Sequence, residues 1–270
     1  MAKPKHLPNL EQLSVVTALA LLVYALARFV QMPGRTFAVQ LPGLYLAIDL
    51  NARLLITVLV GVLTASGAAW LVSGHPARSA YSTFEHWLLP ALTAWVISLP
   101  VFDLPDGPLL WLGIALSGGL LAFVLAAEYI VVDPEDVRQP AAAAGLIALS
   151  FALYMIMAMM LRFAELRLFL LAPALALGGF GVTLRALHLR LQGQWVPLHA
   201  FAITLVFTQI GAALHYWPLT PISYGLALLG PGYAVTSLVA SLMEGENLRQ
   251  AIIEPVVVLV VMWGFAFWMR

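Results

Sequence analysis

The chain has 270 residues, of which 62% are hydrophobic and 10% are charged, and its formal net charge is zero. Soluble domains carry roughly 25% charged residues, so this composition excludes a soluble globular domain and predicts an all-α polytopic membrane protein. The lack of cysteine excludes disulfides, thiolate metal sites and cysteine nucleophiles, and the scattered arginines form no basic patch for nucleic acid.

Apolar runs of about 20 residues, the length that crosses a bilayer as a helix, recur along the chain. They predict a transmembrane helical bundle that forms a single transmembrane domain over residues 1–270, with about nine spans, or eight if one run does not cross. The predicted spans are residues 14–31, 53–73, 87–103, 108–131, 140–161, 167–188, 197–217, 219–242 and 252–269.

The N-terminal fifth of the chain has more than one interpretation. Ala25-Leu26-Ala27 resembles a signal-peptidase site, but the apolar run continues through Phe29 and Val30, so we expect an uncleaved first span. Residues 36–50 are apolar but too short to cross, and Pro42-Gly43 interrupts them. Two interpretations of this segment stay open: an interfacial or re-entrant segment, and a plain loop lying on the bundle.

Ionisable residues are unevenly distributed between the two predicted membrane sides. The side that holds the N-terminus is called the near side here. Lysine and arginine divide almost equally, so the positive-inside rule sets no orientation. Acidic residues and histidines collect on the near side, where we expect any chemistry that uses ionisable groups. The candidate near-side cluster comprises Glu85, His86, Asp133, Arg185, His188 and His199.

The acidic members of this cluster have a chemical and a structural interpretation. Glu85-His86 opens the third span and can serve as an acid–base pair or as metal ligands, but a helix start capped by Ser82 or Thr83 is favoured. Adjacent residues point about 100° apart on a helix, so they are not expected to share one ligand. Asp133 begins the sequence Asp-Pro-Glu-Asp, which can hold Mg²⁺ or Ca²⁺, although a solvated loop is favoured.

The basic members also allow two interpretations. Arg185 and His188 lie one turn apart near the end of the sixth span, where they can anchor to lipid phosphate or recognise an anionic substrate; anchoring is favoured. His86, His188 and His199 share the near side but lack a short metal-binding spacing. We therefore predict no metal and no cofactor.

A small, polar stripe runs along one face of the seventh span. Its members are Thr204, Thr208, Gly211 and His215, with Gln209 beside it. A matching small face on the sixth span comprises Ala174, Gly178 and Gly181. Such faces allow helices to approach closely, and this packing is the favoured interpretation; a buried polar pathway is the alternative.

Gly230-Pro231-Gly232 lies near the centre of the eighth span, where proline removes an amide donor and the glycines loosen the backbone. An ordinary kink is the favoured interpretation, and a discontinuous helix that forms a transporter binding site is the alternative. Tyr233 follows directly. The hypothetical substrate-binding set is Thr208, Gln209, His215, Gly230, Pro231, Gly232 and Tyr233.

Three segments carry a resemblance to a known group: HYWPLTPISYGLALL at 215–229, MEGENLRQAIIEPVVV at 243–258 and EHWLLPALTAWV at 85–96. They resemble parts of an uncharacterised bacterial multi-span integral membrane protein family. The resemblance implies a bacterial inner-membrane protein of eight or nine spans, and it implies no activity and no catalytic residue.

The leading functional hypothesis is a non-catalytic membrane scaffold or a subunit of a larger complex, because ionisable residues are nearly absent from mid-membrane. One alternative is a small-solute or lipid transporter that uses a broken eighth span. A second is a membrane enzyme that acts on lipid head groups through Glu85, His86 and Asp133. The expected location is a cell membrane, crossed several times, and the expected partners are the lipid bilayer and other membrane subunits.

Overall fold

The computed structural model describes residues 7–27, 29–30, 35–41, 44–50, 52–77 and 85–269. Helices dominate it, which confirms the predicted all-α bundle. The chain divides into two compact units, Met1–Val137 and Arg138–Arg270, and the single transmembrane domain stays a prediction. The first unit contains α1 (Leu10–Leu26), β1 (Arg35–Leu41), β2 (Leu44–Leu50), α2 (Ala52–Ser73), α3 (Glu85–Asp103) and α4 (Pro108–Val131). The second contains α5 (Gln139–Phe163), α6 (Leu168–Arg190), α7 (Pro197–His215), α8 (Pro221–Met243), α9 (Leu248–Ala251) and α10 (Ile253–Trp268).

Seven helical segments are long and apolar enough to cross a membrane. They are α2, α4, α5, α6, α7, α8 and the segment Leu248–Trp268, which joins α9 and α10. The other two predicted spans are also helical, but α1 has only 17 residues and α3 opens with two polar residues, and neither belongs to this set. The described helices thus make the chain a multi-pass membrane protein and support seven of the nine predicted spans.

The first helix differs most from its predicted bounds of 14–31. It begins at Leu10 because Asn9 caps it, the Asn9 side-chain oxygen accepting a hydrogen bond from the backbone N–H of Glu11 at 2.9 Å. It ends at Leu26, and parts of the predicted C-terminal extension lie outside the described residues. The helix start was missed because the cap precedes the apolar run by several residues.

The segment at 36–50 is a β-hairpin, so the interpretation as a plain loop is wrong. β1 and β2 pair antiparallel, with Arg35 opposite Leu50 and Leu41 opposite Leu44. Pro42 and Gly43, which come between the strands in the sequence, lie outside the described residues. Pairing satisfies the backbone groups on the facing edges of the two strands, and the outer edge of each strand has no partner strand among the described residues.

Packing in the first unit brings α3 against α2 and α4, with α1 alongside. α1 contributes the buried side chains of Val16, Ala20 and Tyr24. The Tyr24 hydroxyl donates to the backbone carbonyl of Ala94 on α3 at 2.7 Å. The Tyr24 hydrogen bond joins α1 to α3, and α1 and α3 both pack against α4.

In the second unit, α8 is the central helix and packs against α5, α6, α7 and α10. It starts at Thr220-Pro221, where the threonine hydroxyl accepts from the backbone N–H of Ser223 at 3.2 Å and proline occupies a first-turn position that needs no donor. Gly225 lets α8 approach α5, since an added Cβ would lie 3.0 Å from the Met155 carbonyl oxygen. This close packing determines which α8 residues can face a cavity.

Candidate functional site

The second unit contains a cavity of about 360 Å³ between α5, α6, α8 and α10. Its apolar lining comes mainly from α5, and its polar lining comes from the ends of α6 and α10 and from the second half of α8. The apolar residues are Ala144, Ile147, Ala148, Phe151, Ala186 and Ala240. The polar residues are Arg190, Tyr233, Thr236, Ser237 and Glu254. One wall of the cavity is therefore mainly apolar and the other is mainly polar.

Arg190, the last residue of α6, is held by a fork of hydrogen bonds to α8 and the residue after it. Its Nη1 and Nη2 donate to the hydroxyls of Ser237 and Ser241, each at 2.8 Å. Its Nε donates to Glu244 Oε1 at 3.2 Å, in an ion pair whose side chains are 28% and 34% exposed. The Arg190 charge thus has a carboxylate partner already present in the site.

Tyr233 and Glu254 form the second polar point of the cavity, about one helical turn along α8 from Ser237. The Tyr233 hydroxyl donates to Glu254 Oε1 at 2.5 Å. The Tyr233 ring meets the ring of Phe151 on α5 edge-on, with centroids 5.4 Å apart. A carboxylate and two aromatic rings therefore line the same cavity.

The polar wall has a sequence signature that was missed. Tyr233, Ser237, Ser241 and Glu244 stand at i, i+4, i+8 and i+11, which places them on one face of α8. They extend from the middle of α8, at Tyr233, to the residue after its end, Glu244. The helical periodicity of polar residues in this half of α8 was the signal that could have found it.

The Gly230-Pro231-Gly232 sequence does not break α8, which continues from Pro221 to Met243; the broken-span interpretation is wrong. Pro231 has no N–H to donate to the carbonyl of Ala227, four residues earlier. That carbonyl accepts instead from the indole Nε1 of Trp263 on α10 at 3.0 Å. Gly230 allows the approach, since a Cβ there would lie 3.2 Å from Met262. The freed backbone group is therefore paired, and the helix stays intact.

The structure divides the hypothetical substrate-binding set. Tyr233 lines the cavity, whereas Gly230 and Pro231 are buried in helix packing and an added Cβ at Gly232 would approach Phe207 of α7. Thr208 is half-buried and its hydroxyl has no partner among the described residues, whereas Gln209 is exposed. His215 is the last residue of α7 and does not line the cavity.

The small stripe on α7 packs against neighbouring helices, as its favoured interpretation predicted. A Cβ at Gly211 would meet Leu175 of α6 at 2.9 Å and Leu228 of α8 at 3.2 Å. The α6 glycine that faces this stripe is Gly179, next to Phe207 and Thr204, whereas Gly178 faces Met157 on α5. The predicted matching face was therefore displaced by one residue, which turns it about 100° around the helix.

His215 takes part in the end of α7 rather than in the cavity. Arg162 on α5 donates to the carbonyls of His215 at 3.0 Å and Trp217 at 3.3 Å, which lack helical partners at a helix C-terminus. Its guanidinium also lies 5.6 Å from the centroid of the Tyr224 ring. Arg162 thus closes the turn between α7 and α8.

In the first unit, His86 lies between two carboxylates. Its Nδ1 is 2.8 Å from Glu128 Oε2 on α4, and its Nε2 is 3.3 Å from Glu85 Oε1. The side chains of His86 and Glu128 are 5% and 1% exposed. The long glutamate side chain thus reaches the neighbouring ring, and the expectation that Glu85 and His86 do not share one ligand stays a prediction. The proposed caps, Ser82 and Thr83, lie outside the described residues.

Asp133 lies in a turn after α4 that is not a solvated loop. Its carboxylate accepts from the backbone N–H of Glu135 at 2.9 Å, and both Asp133 and Asp136 are buried, at 6% and 3% exposed. The solvated-loop interpretation is therefore wrong for these two side chains, although Glu135 is exposed. The hydrogen bond to the Asp133 side chain and the backbone bond from the Asp136 N–H to the Asp133 carbonyl at 3.2 Å both stabilise this turn.

The three remaining members of the predicted near-side cluster lie in the second unit. Arg185 is fully buried, so the favoured interpretation as a lipid anchor is wrong. His188 is buried and stacks on Trp195 with centroids 4.1 Å apart, and His199 is exposed. Among the described residues, no group of three or more His, Cys, Asp or Glu side chains is placed to hold a metal ion.

Comparison with protein families gives one match. The family described as "Protein of unknown function (DUF5656)" matches residues 32–269. The chain belongs to the DUF5656 family. The match extends over most of both units and includes all the cavity residues, so the cavity lies within the part that defines DUF5656. No curated protein and no solved structure matches this DUF5656 chain.

Proposed function

We propose that the protein binds a small amphipathic molecule in the cavity of its second unit. The observation that carries this proposal is the division of the cavity into an apolar α5 wall and a polar wall formed by Arg190, Tyr233, Ser237 and Glu254. Apolar pockets with a few convergent polar groups are the usual form of small-molecule sites. The volume, about 360 Å³, lies at the lower end of the range for such sites.

The His86 cluster supports an alternative less well. An enzyme that acts on lipid head groups must bring its substrate into contact with an acid or base, and the side chains of His86 and Glu128 are 5% and 1% exposed. Burial of both groups favours a structural role for their contact. We therefore place ligand binding in the second unit, where polar side chains line open space.

The proposal is tested by filling the cavity. Purified protein is immobilised in nanodiscs, and binding of tritiated n-octylamine, n-octanol and octanoate is measured. Ala148→Trp adds a large side chain to the α5 wall, whereas Ala141→Trp, on the same helix but outside the lining, is the control. We expect at least one probe to bind the wild type and the control and to be lost from Ala148→Trp. Binding of no probe, or equal binding by all three proteins, overturns the proposal.

Transport is a second candidate function, favoured by one observation. The cavity extends from the end of α6 at Arg190 to Tyr233, which is near the middle of α8. Counterflow of tritiated octyltrimethylammonium, which retains its charge at every pH, into liposomes tests it. A transporter gives counterflow that Ala148→Trp abolishes; binding without counterflow rejects transport and retains the binding function.

The scaffold or complex-subunit hypothesis stays a prediction beside this proposal. It requires a stable assembly, so gently solubilised protein should have the mass of an oligomer or of a complex with other subunits. A monomer that binds its ligand contradicts it. We also propose the bacterial inner membrane as the location, on the sequence resemblance together with the seven apolar helices.

A further inference from the structure

We propose that the molecule bound in this cavity carries a positively charged amine, held by the carboxylate of Glu254 and the rings of Phe151 and Tyr233. This inference rests on the proposed function, because it names the chemical class of the same ligand. Two features of the cavity support it: a carboxylate whose charge no neighbouring side chain balances, and the aromatic lining.

Glu254 is an exposed carboxylate in the first turn of α10, near the start of the apolar segment Leu248–Trp268. It is the acidic member of the cavity lining. The helix dipole favours an acid in the first turn of α10, but it does not explain why a charged group occupies a cavity wall.

The pairing of Glu254 leaves its charge without a counter-ion. Oε1 accepts from the Tyr233 hydroxyl, a neutral donor, at 2.5 Å. Within the part of the chain that the structure describes, Glu254 makes no ion pair and Oε2 has no hydrogen-bond donor. One carboxylate oxygen is thus held in place by Tyr233 while the other is open to a ligand.

The charge balance of the polar wall favours a cation. Arg190 and Glu244 cancel, because they form an ion pair at 3.2 Å. The charged lining residues are Arg190 and Glu254, and the Arg190 charge is already compensated by Glu244 outside the lining, so the charge left uncompensated at the cavity is the negative one of Glu254. An anionic ligand would meet repulsion from Glu254 and an arginine that already has a carboxylate partner, whereas an ammonium group would supply the missing counter-ion.

The aromatic lining fits the same chemistry. Phe151 and Tyr233 meet edge-on at 5.4 Å, and both rings line the cavity that Glu254 enters. Ring faces attract ammonium groups, most strongly where water is excluded. The alanines of α5 then leave apolar space for the hydrocarbon part of the ligand. The geometry is that of a site for a small lipophilic amine.

Four probes with the same chain and different head groups test the charge. They are n-octylamine, octyltrimethylammonium, n-octanol and octanoate, measured by competition against tritiated octylamine on wild-type protein in nanodiscs. We expect both cations to bind at least about tenfold more tightly than the alcohol, and octanoate to bind weakest, because a cation is attracted to the carboxylate and to the ring faces, whereas octanoate is repelled by the carboxylate. Equal affinity for the alcohol and the amines overturns the inference.

Variants at Glu254 locate the cation. Glu254→Gln keeps the shape and removes the charge, and we expect it to weaken amine binding about tenfold or more while leaving octanol binding unchanged. Glu254→Asp retains the charge and should retain part of the affinity. Glu246→Gln, an exposed acid before α9, is the matched control and should bind as the wild type does. Normal amine affinity in Glu254→Gln overturns the inference.

The two proposals fail separately. If Ala148→Trp abolishes binding of every probe but Glu254→Gln changes none, the cavity binds amphiphiles and the amine assignment is wrong. If Ala148→Trp changes nothing, the cavity is not the binding site and both proposals fail. Folding of each variant is checked by its thermal unfolding midpoint, and Ala148→Leu provides a smaller filling where the tryptophan variant does not fold.

Discussion

Ionisable side chains are buried in a helix contact in the first unit and line a cavity in the second unit. In the first unit, His86 and Glu128 face each other across the α3–α4 contact at 2.8 Å and are almost fully buried. In the second unit, Arg190 and Glu254 line open space, and the Arg190–Glu244 pair is about one-third exposed. Ionisable side chains are thus enclosed between two helices in one unit and exposed to a cavity in the other.

This contrast indicates that the solvent exposure of a polar side chain, more than its residue type, distinguishes a structural contact from a candidate binding site. A buried pair loses its hydration and must be compensated internally, so removal of one partner leaves a costly group behind. A partly exposed pair keeps water nearby and contributes little to stability. Stability measurements on single variants therefore test whether the polar pairs of the two units differ in this way.

The largest effect on stability is expected at the buried His86–Glu128 pair. Glu128→Leu should lower the free energy of unfolding by about 3–5 kcal/mol, because His86 keeps its buried position and loses the Glu128 carboxylate. The measurement is the unfolding midpoint of detergent-solubilised protein in a titration with sodium dodecyl sulfate. His86→Leu with Glu128→Leu should cost less than the sum of the two single changes, since the pair acts together.

The control for this prediction lies in the same unit. Arg53 and Asp103 form an ion pair at 2.8 Å whose side chains are 63% and 45% exposed. Arg53→Gln should change the free energy of unfolding by less than about 1 kcal/mol. If Glu128→Leu costs no more than Arg53→Gln, the contrast between a closed and an open polar pair does not hold.

An intermediate effect on stability is expected at Trp263, whose indole N–H donates to a backbone carbonyl within the second unit. Trp263→Phe removes the indole donor and leaves the Ala227 carbonyl unpaired, at a cost of about 1–3 kcal/mol. In a Pro231→Ala background, residue 231 regains an N–H that can donate to the same carbonyl. The Trp263→Phe change should then cost less, and both unfolding midpoints are measured as above.

The rescue is the discriminating part of this experiment. Loss of the tryptophan ring also removes packing between α8 and α10, and that loss is the same whether position 231 carries proline or alanine. An equal cost in the two backgrounds would mean that packing alone accounts for the effect, and the account of how α8 stays continuous would be wrong.

The apolar runs predicted most of the helices because hydrophobic length alone decides whether a segment can cross a membrane. α4 occupies residues 108–131, as predicted, since Pro108 and the turn before it mark its start. The hairpin was not predicted, because the short apolar runs before and after Pro42-Gly43 are as typical of an interfacial segment as of two strands. Hydrophobic length alone indicates a membrane-crossing helix, whereas two short apolar runs do not show whether they pair with each other.

The candidate site was less predictable for a physical reason. Tyr233 was singled out only because it follows Pro231 and Gly232, and the structure places it in a cavity with partners from α5 and α10. Helix faces follow from periodicity, but which helices meet at a given face depends on packing between distant segments. Gly178 and Gly179 illustrate this, because a shift of one residue decides whether a glycine faces α5 or α7.

The smallest effect on stability, and the sharpest test of the open wall, is expected at Arg190. Arg190→Gln should lower the free energy of unfolding by about 1 kcal/mol or less, because the ion pair with Glu244 is partly exposed. The same change removes the positive charge that Arg190 gives the cavity lining and leaves Glu244 without this partner. The affinity for octylamine should then rise, since both remaining charges attract a cation. A fall in that affinity would contradict the charge assigned to the cavity, and octanoate binding that is lost in Arg190→Gln would show instead that Arg190 holds an anionic ligand. A loss of stability as large as that of Glu128→Leu would show instead that the second unit is as closed as the first.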